Sequence, residues 1–140
     1  MCSTGNEELS EMFELNATLF ADTIPVTDWP LCRVLLARDA NYPWLILVPR
    51  RHGITELHEL DQTDRHLLMD EIATATHRLQ NLTGAHKMNV ASLGNVVPQL
   101  HVHVIARFPS DPAWPRPVWG AVPPRAYGDA ELTKLLQSLA

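Results

Sequence analysis

Two hydrophobic periods alternate along the chain. The apolar runs LCRVLLARD, from Leu31, and WLILVPR, from Trp44, meet at DANYP, whose Asn and Pro favour a turn, so they predict a hairpin of two strands. From Asp61 the period becomes helical, with Leu68, Ile72, Ala75, Leu79 and Leu82 recurring at steps of four and three. Asp61 is placed to cap this helix, Asp64 falls in its first turn, and Gly84 follows where a left-handed stop is needed, which predicts a helix over about 62–82. AHKMNVASLG then reads as a strand and NVVP as a turn. In QLHVHVIAR, Gln99, His101 and His103 alternate with Leu100, Val102 and Val104, a strand that turns the apolar set to the core and the polar set the other way, in one row. Near the end, GDAELTKLLQSLA carries leucines at 132, 135, 136 and 139 behind Asp129 as cap, predicting a short C-terminal helix over 129–139.

Strands, a long helix and strands again give an α+β class: an antiparallel sheet with the long helix packed on one face. PSDPAWPRPVWGAVPPR, residues 109–125, is too rich in Pro for a strand and reads as a rigid loop. Its Trp114 and Trp119 are expected to anchor the loop by packing rather than to stack on a base. Trp29, Trp44 and the helix leucines are assigned to the core.

Composition narrows the function classes. A chain of 140 residues with 46% hydrophobic and 19% charged residues fits one folded domain, 1–140, rather than a disordered segment. With a net charge of -5 and scattered basic residues, apart from Arg50-Arg51, duplex nucleic acid is not an expected partner. The N-terminal MCSTGNEELSEMF has acids where a secretory signal carries a basic region, and no run approaches a membrane span, so no membrane partner and a cytoplasmic location are expected. Cys2 and Cys32 form neither a CxxC pair nor a disulfide framework, and read as a terminal thiol and a buried small side chain.

The histidine row has three readings. It is a half-buried strand with imidazoles on its outer face, or a metal site, or a nucleophilic centre. A metal needs further ligands; with no CxxC or HExxH, these would have to come from His52, His58, His66, His77 or His86 by folding. A nucleophile needs one imidazole nitrogen free and the other held by an acceptor, with a neighbouring histidine to bind phosphate or protonate the departing oxygen. The Gly94-Asn95 pair is a plain turn, or one that aims backbone N–H groups at an anion. Arg50, Arg51, His52 and Arg107 read as solvated basic residues rather than phosphate contacts.

QLHVHVIAR, preceded by LGNVVP, resembles the signature of the histidine triad (HIT) family, His-x-His-x-His followed by two apolar residues. WLILVPRRHGITELHELD resembles that family's strand and Pro-basic-basic-His turn before the long helix, so the likeness covers about residues 31–108, in order. The resemblance implies a HIT-like antiparallel sheet and a homodimer whose sheets join. It also implies a nucleotidyl hydrolase or transferase acting at the α-phosphate of a nucleoside polyphosphate, dinucleoside polyphosphate or phosphoramidate. His101 falls at the nucleophile, His103 at the third triad position, and Gln99 where the family has its first histidine, offering an amide donor and a carbonyl acceptor. Asn89 lies near the family's phosphate or sugar contact; Asp39 and Asn41, in a turn shorter than usual, fall where ribose contacts are expected; Asn95 is the fourth substrate-binding candidate. No cofactor is implied beyond a magnesium ion carried by the substrate. The alternatives are a catalytically weak nucleotide-sensing module, a structural metal protein, and a dimeric scaffold that meets a protein partner through the tryptophan loop.

Overall fold

The computed structural model describes residues 12–140, so the readings of Cys2 and of the acidic N-terminus lie outside the described residues. Five strands form one antiparallel sheet: β1 (Thr23–Asp28), β2 (Cys32–Ala37), β3 (Trp44–Pro49), β4 (Lys87–Ala91) and β5 (Val102–Arg107), in the order β1-β2-β3-β5-β4. Among the described residues three α-helices accompany them: α1 (Ala17–Asp22), the long α2 (Gln62–Thr83) and α3 (Asp129–Leu139). Among the described residues no helix is long and apolar enough to cross a membrane.

The expected hairpin is β2–β3, with Leu35 opposite Ile46. The long helix starts at the Asp61 cap, whose carboxylate accepts from the Asp64 N–H at 2.8 Å, and stops at Gly84 in the left-handed region with φ of 69°. Leu68, Ile72, Ala75 and Leu79 are buried against the sheet, whereas Leu82, placed in the same stripe by periodicity, is exposed because it falls in the last turn, past the sheet's cover. Glu71 ties this helix to the sheet: its carboxylate accepts from the Leu31 and Cys32 N–H groups at 2.9 and 2.8 Å, capping donors at the start of β2. At the C-terminal helix the cap is Gly128, and Asp129 is the first helical residue, where its charge still favours the helix N-terminus.

Two elements escaped the pattern. α1 is six residues long, and β1 is an edge strand with a register shift between Pro25 and Thr27, so it shows neither clean alternation nor an apolar run. An edge is where a strand tolerates a proline. The histidine strand also begins later than expected, at Val102 rather than Gln99. Ladder pairing to β3 ends at Leu47 opposite Val102; continued, it would bring Leu100 opposite Pro49, which has no N–H to give. The Leu100 N–H bonds instead to the Ile54 carbonyl at 3.0 Å, so the chain leaves the ladder before the first histidine.

The sheet has two unlike faces. Val34, Leu36, Leu45, Leu47, Val102, Val104 and Ala106 pack under α2 and α3 as the main core. On the opposite face, Phe13, Leu15 and Leu19 cover Leu35, Ala37, Ile46 and Val48, while Ala113 and Val118 of the Pro-rich loop cover Ile105 and Tyr42. His103, opposite Ile46 in the register, opens on this second face between the two pads.

Three arginines read as solvated are structural. Arg51 forks onto Asp64 at 2.7 and 3.1 Å, and Arg50 donates to the Trp29 and Pro30 carbonyls. Arg107 is 1% exposed and spends all three guanidinium nitrogens: both Asp111 oxygens (2.8 and 3.1 Å), Asn89 Oδ1 (2.8 Å) and the Arg116 carbonyl (2.7 Å). Burial costs so much for an unpaired charge that such saturation is required. Asp111 in turn accepts from the Phe108, Ala113 and Trp114 N–H groups. Burial pushes its carboxyl up, but Arg107 and the backbone donors outweigh this and hold it below the usual carboxylate range.

Candidate active site

His103 stands on β5 with its imidazole on the second face of the sheet. Trp44, at the start of β3 and paired with Ile105, shares that face, and its indole Nε1–H donates to His103 Nδ1 at 3.0 Å. Trp119 of the Pro-rich loop meets both rings edge-on, with centroids 5.0 Å from His103 and 5.7 Å from Trp44. His101, in the segment just before β5, lies edge-on to His103 at 4.9 Å, and each histidine is only 6% exposed. The two histidines are therefore brought together, though His101 reaches the site from outside the ladder rather than as part of a strand row.

Hydrogen bonding decides which nitrogen of each ring carries a proton. His101 Nδ1 is 2.7 Å from the backbone carbonyl of Gln99. A carbonyl only accepts, so Nδ1 is the N–H and the lone pair of the neutral ring sits on Nε2. At His103 the partner is an indole, which only donates, so Nδ1 holds the lone pair and Nε2 the proton. Burial first, and then the neighbouring His101, push the His103 pKa down to about 4.

The Gln99 side chain turns elsewhere. Its Oε1 accepts from the Asn16 N–H and its Nε2 donates to the Glu14 carbonyl, each at 2.8 Å, so the amide pairs with a strip of main chain as a neighbouring strand would. Asn16 then caps α1 through its own side chain. Gln99 thus meets the histidines through its backbone carbonyl, and holds the N-terminal segment with its side chain.

The four polar candidates are dispersed. Asn89 accepts from Arg107 within the buried network, and Asp39 accepts from the Asn41 and Arg125 N–H groups at 3.0 and 3.2 Å. Asn41 donates to the Pro123 carbonyl at 2.9 Å, so this pair fastens the hairpin turn to the Pro-rich loop. Asn95 is exposed, next to Gly94 with φ of 74°. Among the described residues no group of three or more His, Cys, Asp or Glu side chains is placed to hold a metal; His86 packs on Trp114 and His77 bonds Asn81.

Sequence reasoning missed Trp44 and Trp119 as members of the site. Alternation along WLILVP does put Trp44 on the face away from Leu45 and Leu47, but only the β3–β5 register shows that His103 shares that face nearby. Trp119 does pack, as expected for the loop, yet it packs on the histidine pair and stays 39% exposed.

This fold recurs in known proteins. Residues 18–110 match the HIT domain. Three solved structures are similar throughout: histidine triad proteins from Bradyrhizobium japonicum (47% identity, TM-score 0.90, covering 91% of this chain and 95% of that one), Sinorhizobium meliloti (41%, 0.90, 93% and 96%) and Marinobacter aquaeolei (45%, 0.89, 91% and 93%). No curated protein matches the chain. With the domain match spanning well over half the chain and three close neighbours sharing its five-stranded sheet, this protein belongs to the HIT domain family of histidine triad proteins.

Proposed function

We propose that the protein is a nucleotidyl hydrolase or transferase in which His101 is the nucleophile. The observation that carries this reading is the 2.7 Å bond from His101 Nδ1 to the Gln99 carbonyl, which leaves the Nε2 lone pair for attack. Nε2 forms a bond to the α-phosphorus of a nucleotide while the bond from phosphorus to the leaving group breaks and its electron pair departs with that group. The ring becomes a nucleotidyl-imidazolium whose Nδ1–H stays on the Gln99 carbonyl. Water then attacks phosphorus, the nitrogen–phosphorus bond returns its electrons to Nε2, and the water's second proton leaves to solvent with the nucleoside monophosphate. His103 Nε2–H orients the phosphate, and Gln99, in the first place of the triad, acts through its carbonyl. The Gly94-Asn95 turn, whose Asn95 is exposed, is the candidate for backbone N–H contact with the phosphate. Magnesium, if used, arrives with the substrate.

The test is to mix the protein with nucleotides labelled at the α-phosphate, quench in alkali, and locate the label. Label on His101, lost in His101→Ala, supports the proposal; normal turnover by His101→Ala sinks it. A nucleotide-sensing module is the second reading, favoured by the engagement of the Gln99 side chain with residues 14–16. It predicts nucleotide binding by calorimetry with neither label nor turnover. A homodimer belongs to the same proposal, supported by the groove between α2 and the edge strand β4, where Met69 and Val90 are 61% and 48% exposed. Sedimentation of Val90→Asp as a monomer beside a dimeric parent would bear it out. A cytoplasmic location completes the reading.

A further inference from the structure

We infer that Trp44 is a positioning residue that keeps His103 a neutral Nε2–H donor, so that the site takes nucleotidyl anhydrides, whose leaving group departs as an anion, and discriminates against phosphoramidates, whose amine must be protonated to leave. The inference rests on the nucleotidyl-transfer reading and narrows its substrate class.

The argument starts from the 3.0 Å bond between indole Nε1–H and His103 Nδ1. An indole nitrogen has no lone pair to offer, so a proton on Nδ1 would set N–H against N–H and break the bond. The indole is itself held: Tyr42 and Trp119 meet it edge-on with centroids at 6.4 and 5.7 Å, so it does not swing aside cheaply. Among the described residues the groups against His103 are Trp44 and Ile46 on β3, Ala91 on β4, Trp119 on the loop and His101, and of these only His101 is an ionisable side chain. Among the described residues no carboxylate is recorded against the ring to draw a proton onto it. The pKa of about 4 set by burial and His101 agrees with this geometry.

A neutral imidazole donates a hydrogen bond from Nε2 but does not give that proton away. His103 therefore steadies a phosphate oxygen and does not serve as general acid. Expulsion of a phosphate or polyphosphate needs no acid, because the electron pair of the breaking phosphorus–oxygen bond stays on a stable oxyanion. Expulsion of an amine needs a proton delivered to its nitrogen, and here that proton has only solvent as its source.

The experiment pairs nitrogen-15 NMR of the histidine rings with kinetics on diadenosine triphosphate and adenosine phosphoramidate, in the full chain and in Trp44→Phe. We expect His103 as the Nε2–H tautomer at neutral pH, and a kcat/KM for the anhydride at least ~100-fold above that for the phosphoramidate, the usual scale of general-acid assistance. In Trp44→Phe, which keeps a ring but loses the N–H, His103 should take a proton nearer its ordinary pKa, and the gap should narrow on the acid side of the pH profile. A proton on His103 Nδ1 in the parent protein overturns the inference, as does a phosphoramidate cleaved as fast as the anhydride. If neither substrate turns over and no label reaches His101, the nucleotidyl-transfer reading falls and the substrate class with it. The tautomer seen by NMR then still decides what Trp44 does.

Discussion

His103 and Arg107 point to the same face of the same strand, two polar side chains with Ile105 between them, and they are treated in opposite ways. Arg107 is saturated: each guanidinium nitrogen has a protein partner, and the carboxylate that faces it is saturated too. The histidines are half spent. One nitrogen of each ring is bonded to the protein, and the other is left out of the network among the described residues. Burial is nearly equal, at 1% exposure for Arg107 and 6% for each histidine, so burial does not separate the two ends here. Unspent hydrogen-bonding capacity does. The arginine end closes the Pro-rich loop onto the sheet; the histidine end keeps two nitrogens outside the hydrogen-bond network of the described residues.

The contrast breaks most sharply at His101. His101→Ala should lower nucleotidyl turnover by roughly 10⁴-fold or more, since the covalent route is lost, while urea unfolding shifts far less. Arg107→Met should do the reverse. It strands Asp111 in a buried site and should cost about 3–5 kcal/mol in denaturant unfolding. Should Arg107→Met abolish turnover in protein that unfolds at the parent's denaturant midpoint, the division between the two ends would be wrong.

Acid sharpens the comparison at a middle scale. An unfolded histidine titrates near 6.5, but His103 does so only at about 4, so between these values the unfolded chain binds a proton that the native ring refuses. Stability contributed by neutral His103 is therefore present above that window and is lost as pH falls through it, by about 3 kcal/mol in all. Unfolding curves taken at several pH values should show this acid limb in the parent and a flatter one in His103→Gln. Smaller still is the Gln99 side chain. Gln99→Leu keeps the carbonyl that holds His101 and removes two hydrogen bonds to residues 14–16, so about 1–3 kcal/mol of stability should go. Turnover should fall by less than tenfold if the carbonyl is what matters. A loss as large as that of His101→Ala would return the side chain to the chemistry.

Residues with short-range jobs were legible in the sequence. Asp61, Gly84 and the stripe from Leu68 to Leu79 declared the long helix, because capping and helical period are set within a few residues. The hairpin of β2 and β3 was legible for the same reason, and so was the closeness of His101 and His103, two residues apart. Less legible were Arg51 and Arg107, whose charges suggested solvent. Their partners Asp64 and Asp111 lie 13 and 4 residues away, and nothing in spacing alone says that either pair is buried. Trp44 looked like core, since an aromatic at the head of an apolar strand most often is.

The sequence by itself determined the fold class, the helix and its ends, and the alternation that sets the histidines apart from the core. Those properties follow from periods and caps that act locally along the chain. Only the tertiary structure decided where each proton sits and what each polar group is for. The bond that assigns the His103 tautomer joins residues 59 apart, and the one that occupies Gln99 Oε1 joins residues 83 apart. Donor and acceptor become partners at such separations only once register, loop path and burial have brought them within reach, and local pattern does not encode that meeting.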